Sequence, residues 1–330
     1  MRYRLLGRTG LRVSELFLGA MTWRAVTPGV RAMMGLYEDA GGNVVDTASA
    51  YGESESVVGE VLEGRRDRFV VATKYTLTRD AGDLNAAGNH RKNLVLSLER
   101  SLRRLRTDYV DLLWVHIWDR HTPLEETMRA LDDVVRAGKV LYVGISDAPA
   151  WVVSRANTLA EWRGWTPFAG LQVPYSLLWR DVERELLPMA EESGLTVAAW
   201  ATLAQGVLSG KYTAGPAPET PTRIEPGSVT EREHAAARAV MDVADDLGVT
   251  PSQVAIAWTL ARSRVVHPIV GASTPGQLAD NLAAADVTLP EEAMDRLAQA
   301  APFTRGFPAD FIAEAGGAFG TRIDRLDGRP

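Results

Sequence analysis

A (β/α)8 barrel is the fold this sequence predicts, and three observations carry the prediction. Eight short apolar runs recur along the 330 residues, and most are followed by a longer amphipathic segment. Such alternation implies parallel strands, because parallel neighbours need a crossover connection, and eight of these units close on themselves. The third observation is negative. An open doubly wound sheet would carry a Gly-rich fingerprint after its first strand, but "LFLGAMTW" has one glycine there and G-x-G-x-x-G occurs nowhere.

The eight strands are expected at 16–18, 43–46, 69–73, 110–115, 142–145, 170–172, 196–200 and 266–270. Helices are expected between them. Segment 30–42 ends in paired glycines, as helices often do. Segment 55–64 has apolar residues at helical spacing, and 91–108 aligns Leu94, Leu98, Leu102 and Leu105 on one face. Segment 123–139 opens with proline and acids and closes with glycine and lysine, matching helix polarity. Segments 149–162, 182–194 and 251–263 complete the crossovers, and 230–248, 275–285 and 290–300 are additional helices. The opening "YRLL…LRVSE", broken by "GRTG", reads as a hairpin capping the barrel's bottom. One domain is expected over 1–330, with an irregular tail from about residue 302 that carries Phe303, Phe307, Phe311, Ile312 and Phe319.

Composition narrows the function. The chain is 46% hydrophobic and 24% charged, with net charge -6. Acids and bases are interspersed, which argues against nucleic-acid and polybasic membrane surfaces. Cysteine is absent, excluding disulfides and thiolate chemistry. The five histidines (90, 116, 121, 234, 267) include no H-x-H pair at a strand end, so a metal-dependent hydrolase or lyase is a poor reading and no metal is expected. The N-terminus lacks a long apolar run and no segment approaches a spanning helix, so the expected location is cytoplasmic.

Barrels place chemistry at the carboxyl ends of their strands. There the sequence offers Asp46, Lys74, His116, Ser146 and Asp147, Gln172, Trp200, and Ser273 with Thr274; Tyr51 follows Asp46 by five positions. Singly, each has a structural explanation. Asp46 can cap a helix, Lys74 can snorkel, His116 can be a satisfied core histidine and Tyr51 a half-buried loop aromatic. Those explanations do not account for their convergence on one mouth. A phenol is a poor acid at neutral pH; a nearby ammonium favours the phenolate, an aspartate keeps the ammonium in place, and a histidine can donate to a carbonyl. This set suits protonation of an oxygen that gains negative charge. Hydride transfer to a carbonyl generates such an oxygen, and side chains do not deliver hydride, so a nicotinamide cofactor is required.

The segments "VVDTASAYGESESVVGEVL", "VVATKY", "YVDLLWVHIWD", "VLYVGISD", "LQVPYSLLWRDVERELLP", "WATLAQGVLSGKY" and "PIVGASTPGQLADNL" resemble the aldo-keto reductases, over roughly residues 1–300. The resemblance implies a catalytic set of Asp46, Tyr51, Lys74 and His116, with Tyr51 as proton donor in reduction. It implies that Ser146, Asp147 and Gln172 hold the nicotinamide carboxamide, with Asp147 standing where asparagine is usual. Trp200 replaces the tyrosine that stacks on the ring, and Thr22 matches a ribose contact. Leu203, Gly206, Ser209 and Lys211 fall in the loop over the pyrophosphate, whose bland reading is a Gly-rich surface loop. Gly271, Ser273, Thr274, Gln277 and Asn281 fall in the segment that holds the adenosine 2′-phosphate. The resemblance, with Ser273 and Thr274, implies NADP(H) as the preferred cofactor, and NAD(H) remains open because Gln277 sits where a basic residue is common.

The substrate pocket is expected from Trp23, Tyr75 and Trp118, with Met21 and Trp179 as further candidates, and the insert 76–90 as a mobile rim. The expected partner is a small-molecule carbonyl, with no nucleic acid and no membrane, and with a homo-oligomer left open. The alternative is a catalytically weak regulatory subunit of the same fold that senses its cofactor.

Overall fold

The computed structural model describes residues 1–215 and 222–315. Its framework is a closed barrel of eight parallel strands: β3 (Phe17–Gly19), β4 (Val44–Asp46), β5 (Val70–Tyr75), β6 (Val110–Val115), β7 (Val140–Ser146), β8 (Phe168–Pro174), β9 (Thr196–Trp200) and β10 (Val266–Val270). β10 pairs back onto β3 and closes the ring. The expected N-terminal hairpin is present as β1 (Tyr3–Leu5) and β2 (Arg12–Ser14). Its Leu6 and Val13 pack with Phe17, Val44, Val70 and Trp114 and plug the lumen.

The first crossovers are α1 (Pro28–Asp39), α2 (Ser54–Val61), α3 (Arg91–Leu105), α4 (Leu124–Arg136), α5 (Ala150–Arg163) and α6 (Leu186–Ser193). Two helices, α7 (Glu231–Leu247) and α8 (Pro251–Ala261), separate β9 from β10; α9 (Pro275–Ala283), α10 (Glu291–Ala300) and α11 (Ala309–Glu314) follow. The starts are written in the sequence. Thr230 with Glu233, and Thr250 with Gln253, form capping boxes, and Pro251 occupies a first-turn position where its missing N–H is not needed. Among the described residues, no helix is long and apolar enough to cross a membrane.

Three expectations shift. The strand expected at 69–73 runs from Val70 to Tyr75, so Lys74 lies inside the ladder rather than beyond it. The helix expected at 182–194 begins only at Leu186, after a separate 3-10 turn. Pro188 explains this: it lacks an N–H, and its ring would clash with the carbonyl of residue 184 in a continuous helix. The C-terminal tail contains the short helix α11, with Phe307, Phe311 and Ile312 exposed; Phe319 lies outside the described residues.

Strand alternation sorts the side chains into two cores. Along β5, Val70 and Ala72 face the lumen while Val71 and Tyr75 face the helices. Trp114 fills the lumen beneath the mouth, and glycine is required opposite it, since a β carbon on Gly144 would lie 2.3 Å from the indole. The last inward position of each strand is therefore the first that is free to carry function.

Candidate active site

Asp46, Lys74, His116, Ser146, Gln172 and Trp200 each follow the inward positions of their strands and converge at the carboxyl end of the barrel. Lys74 is 1% exposed, and its ammonium pairs with the Asp46 carboxylate and donates to Thr47 O at 2.8 Å. The other Asp46 oxygen accepts from Gln172 Nε2 at 2.9 Å. Ser146 Oγ donates to Gln172 O at 2.7 Å. Buried charge is tolerated here because each group is paired and further hydrogen-bonded.

Tyr51 reaches over this base from the loop between β4 and α2. Its ring centre lies 5.0 Å from Lys74 Nζ, and it meets the His116 ring edge-on at 5.7 Å. The expected acidification of the phenol does not hold in the free protein. Burial raises the Tyr51 pKa, with Asp46 and Asp147 adding to it, and the nearby Lys74 charge and hydrogen bond only partly oppose this. The phenol is thus held protonated. Burial, with Lys74 adding to it, pushes His116 down to about 3, so its imidazole is neutral. Its Nδ1 is buried and has no hydrogen-bond partner among the described residues.

These side chains border a cavity of about 520 Å³ whose wall includes Thr22, Tyr51, His116, Asp147 and Trp200. A second cavity, of about 260 Å³, is bordered by Leu203, Gly206, Ser209, Lys211, Ser273, Gln277 and Asn281. Ala201, Gln205, Arg223, Ile269 and Gly271 border both, so the two form one elongated cleft. Asp147 lies at φ +43°, a left-handed conformation that Asn and Asp tolerate better than most residues. Burial raises its pKa, against hydrogen bonding to Trp200 and Ser146. The Trp200 ring is braced edge-on by Trp179 at 6.0 Å. In the far cavity, Gln277 Oε1 accepts from Ser273 N at 3.0 Å at the start of α9. Thr274 is outside the wall, its hydroxyl accepting from Gln277 N as the helix cap.

The expected substrate residues are placed otherwise. Tyr75 is 1% exposed and faces the helices, its hydroxyl donating to Asn89 O at 3.2 Å. Trp23 is likewise buried in the outer core. Trp118 stands beside the cavity wall, its N donating to Asp147 O at 3.4 Å and its ring meeting Trp151 edge-on. Met21 does border the cavity. Sequence reasoning missed Ile269, Gln205 and Arg223. Ile269 was readable as the inward residue two before Gly271. Gln205 was not, because it sits at φ +58° inside a run of left-handed residues that only Gly206 announces. The insert 76–90 has no helix or strand, but its base is pinned by Asn89, which donates to Thr76 Oγ1 at 2.9 Å.

The family model for the aldo/keto reductase family matches residues 15–302. The chain belongs to the aldo/keto reductase family. It is 39% identical to a norsolorinic acid reductase of Emericella nidulans, over 93% of this chain and 83% of that one. An aryl-alcohol dehydrogenase [NADP(+)] of Phanerodontia chrysosporium is 36% identical over 91% and 85% of the two chains. The aldo-keto reductase ausK of Emericella nidulans is 37% identical over 94% and 84%. As a member of this family the protein is an oxidoreductase.

Proposed function

We propose that this aldo/keto reductase reduces an aldehyde or ketone reversibly with NADPH, Tyr51 being the proton donor. The observation that carries the reading is a phenol ring on the cavity wall whose centre lies 5.0 Å from a buried ammonium. The names of its relatives, an aryl-alcohol dehydrogenase and a reductase of norsolorinic acid, favour an aryl carbonyl as substrate class.

The residues present fit a nicotinamide dinucleotide. The cleft is elongated, with a flat indole, Trp200, and a serine–aspartate–glutamine set at one end. At the other end are the Lys211 ammonium and the start of α9, a nine-residue helix whose positive dipole end favours an anion. When bound, the cofactor supplies the hydride. Gln172 is oriented by its bond to Asp46, which leaves its carbonyl oxygen to accept a carboxamide N–H. Asp147 accepts as well.

The remaining chemistry belongs to the chain. A carbonyl oxygen that gains charge takes its proton from the Tyr51 hydroxyl. Lys74 then stabilises the phenolate left behind, and Asp46 fixes Lys74 without leaving an unpaired charge. With its Nδ1 buried and unpartnered, His116 is best protonated on Nε2, where it can donate to the same carbonyl oxygen. It orients the substrate and does not titrate.

Steady-state assays with aryl aldehydes and ketones, using NADPH and NADH in turn, test this. Turnover with NADPH at the lower KM is expected. Tight cofactor binding without turnover across the panel would instead favour the cofactor-sensing subunit.

A further inference from the structure

Tyr51 lies on a loop, outside the strand ladder, so the barrel alone does not fix its phenol. Two arginines grip the loop's backbone. Arg24 Nη1 donates to Tyr51 O at 2.8 Å from the exposed side. Arg104, near the end of α3, donates through Nη2 to Gly52 O. Gly52 needs its glycine for a φ of +60°.

The Arg104 guanidinium does more than hold one carbonyl. It faces Ser56 Oγ at 3.4 Å, Glu53 Oε1 at 3.3 Å and Glu55 Oε2 at 3.7 Å, with its side chain 17% exposed. Glu55 is fully buried. Its Oε1 accepts from Thr73 Oγ1 at 2.6 Å, while its Oε2 makes no hydrogen bond among the described residues and faces Arg104. Thr73 is the outward-facing neighbour of Lys74. One guanidinium thus contacts the loop that carries the phenol and, through Glu55, the strand that carries the ammonium. Gly59 permits this approach: a β carbon there would lie 2.6 Å from the Leu105 backbone and push α2 off α3.

We propose that Arg104 is a positioning residue for the reaction, holding the Tyr51 loop and the Lys74 strand in one frame so that phenol, ammonium and substrate oxygen keep their spacing. The proposal rests on the reading of Tyr51 as proton donor. Arginine suits the role because its planar fork offers five donors to several acceptors at once, whereas lysine offers a single point.

The test uses the full-length protein. Arg104→Ala leaves the buried Glu55 without its cation, so Arg104→Ala/Glu55→Gln is made beside it, with glutamine still able to accept from Thr73. Single-turnover reduction by NADPH is expected to slow about 30-fold in the double variant, the scale of a misplaced reacting group. The NADPH Kd should stay within about twofold, the signature of an interaction used in the transition state. Arg104→Lys should fall between the two, and millimolar guanidinium should restore part of the Arg104→Ala rate. Arg103→Ala, one residue away and exposed, should leave the rate unchanged. A folded double variant with a wild-type rate, or a loss residing entirely in the cofactor Kd, overturns the proposal. If the alanine variants do not fold, Arg104→Lys carries the same split between rate and Kd and decides it. Tyr51→Phe, run alongside, separates the two failures: an inactive Tyr51→Phe with normal Arg104 variants defeats only the positioning role. An active Tyr51→Phe defeats both readings.

Discussion

The two ends of the cleft are built on different principles. At the lumen end, Asp46, Lys74, His116, Ser146, Gln172 and Trp200 all leave barrel strands, and the buried groups are tied to one another. At the far end, the wall comes from a 3-10 segment, Ala204–Ser209, broken by left-handed Gln205 and Gly206, and from the first turns of α9. There the polar groups mostly satisfy themselves locally: Ser209 Oγ donates to Gly206 O, and Gln277 occupies Ser273 N. A strand ladder can hold charges to a fraction of an ångström, which chemistry needs. A loop and a helix start offer adjustable grip, which suffices for binding.

Perturbing the lumen end should therefore cost rate, and perturbing the far end should cost affinity. The largest effect is expected for Lys74→Met. Turnover should fall at least about 1,000-fold, because a positioned ammonium supports the phenolate. Denaturant midpoints should also drop, as Asp46 is left buried and unpaired at a cost of about 3–5 kcal/mol. A variant within tenfold of wild type, the scale of about 1.4 kcal/mol in the barrier, would break the distinction.

A pH series sharpens it next. The raised Tyr51 pKa leaves the phenol of the free protein protonated, so kcat/KM for reduction should stay flat across neutral and mildly alkaline pH. Alcohol oxidation needs the phenolate and should climb about tenfold per pH unit through the same range. His116, neutral down to about 3, should add no inflection near 6.5.

Gln277→Arg probes the far end. Adding charge beside Ser273 should tighten NADPH about tenfold, leaving NADH and kcat unchanged, because a charge-assisted bond replaces a neutral one. Equal tightening of both cofactors would place the 2′-phosphate elsewhere.

The last effect touches neither rate nor affinity but stability. His267 is buried in the lumen, its Nδ1 donating to Ser14 O at 3.0 Å, and burial pushes its pKa down to about 4. The unfolded chain therefore binds this proton first as pH falls below 6.5, and the stability tied to the neutral ring is lost between 6.5 and about 4. His267→Gln should flatten urea stability over that window by about 3 kcal/mol. An unchanged slope would show that the lumen admits the charge.

Sequence reading succeeded where period-two alternation was followed, and failed where it was overlooked or where something else fixes direction. Asp46, Lys74 and Gln172 were legible as inward residues near the carboxyl ends of their strands. Tyr75 was misplaced despite the same rule, since a neighbour of an inward lysine must point outward. The acidity of Tyr51 was misjudged because its nearest charge is visible in sequence and its burial is not. Gln205 and Arg223 escaped because their positions depend on loop backbone that no turn residue of their own announces. The helix expected from 182 was shortened by Pro188, which was in plain view.

The central claim is that the Tyr51 hydroxyl supplies the proton to the reduced carbonyl. Single-turnover reduction of an aryl aldehyde by Tyr51→Phe, with the NADPH Kd measured on the same sample, tests it most directly. The account predicts a Kd unchanged within about twofold and a hydride-transfer rate lowered at least about 1,000-fold. A rate near wild type at an unchanged Kd would contradict it.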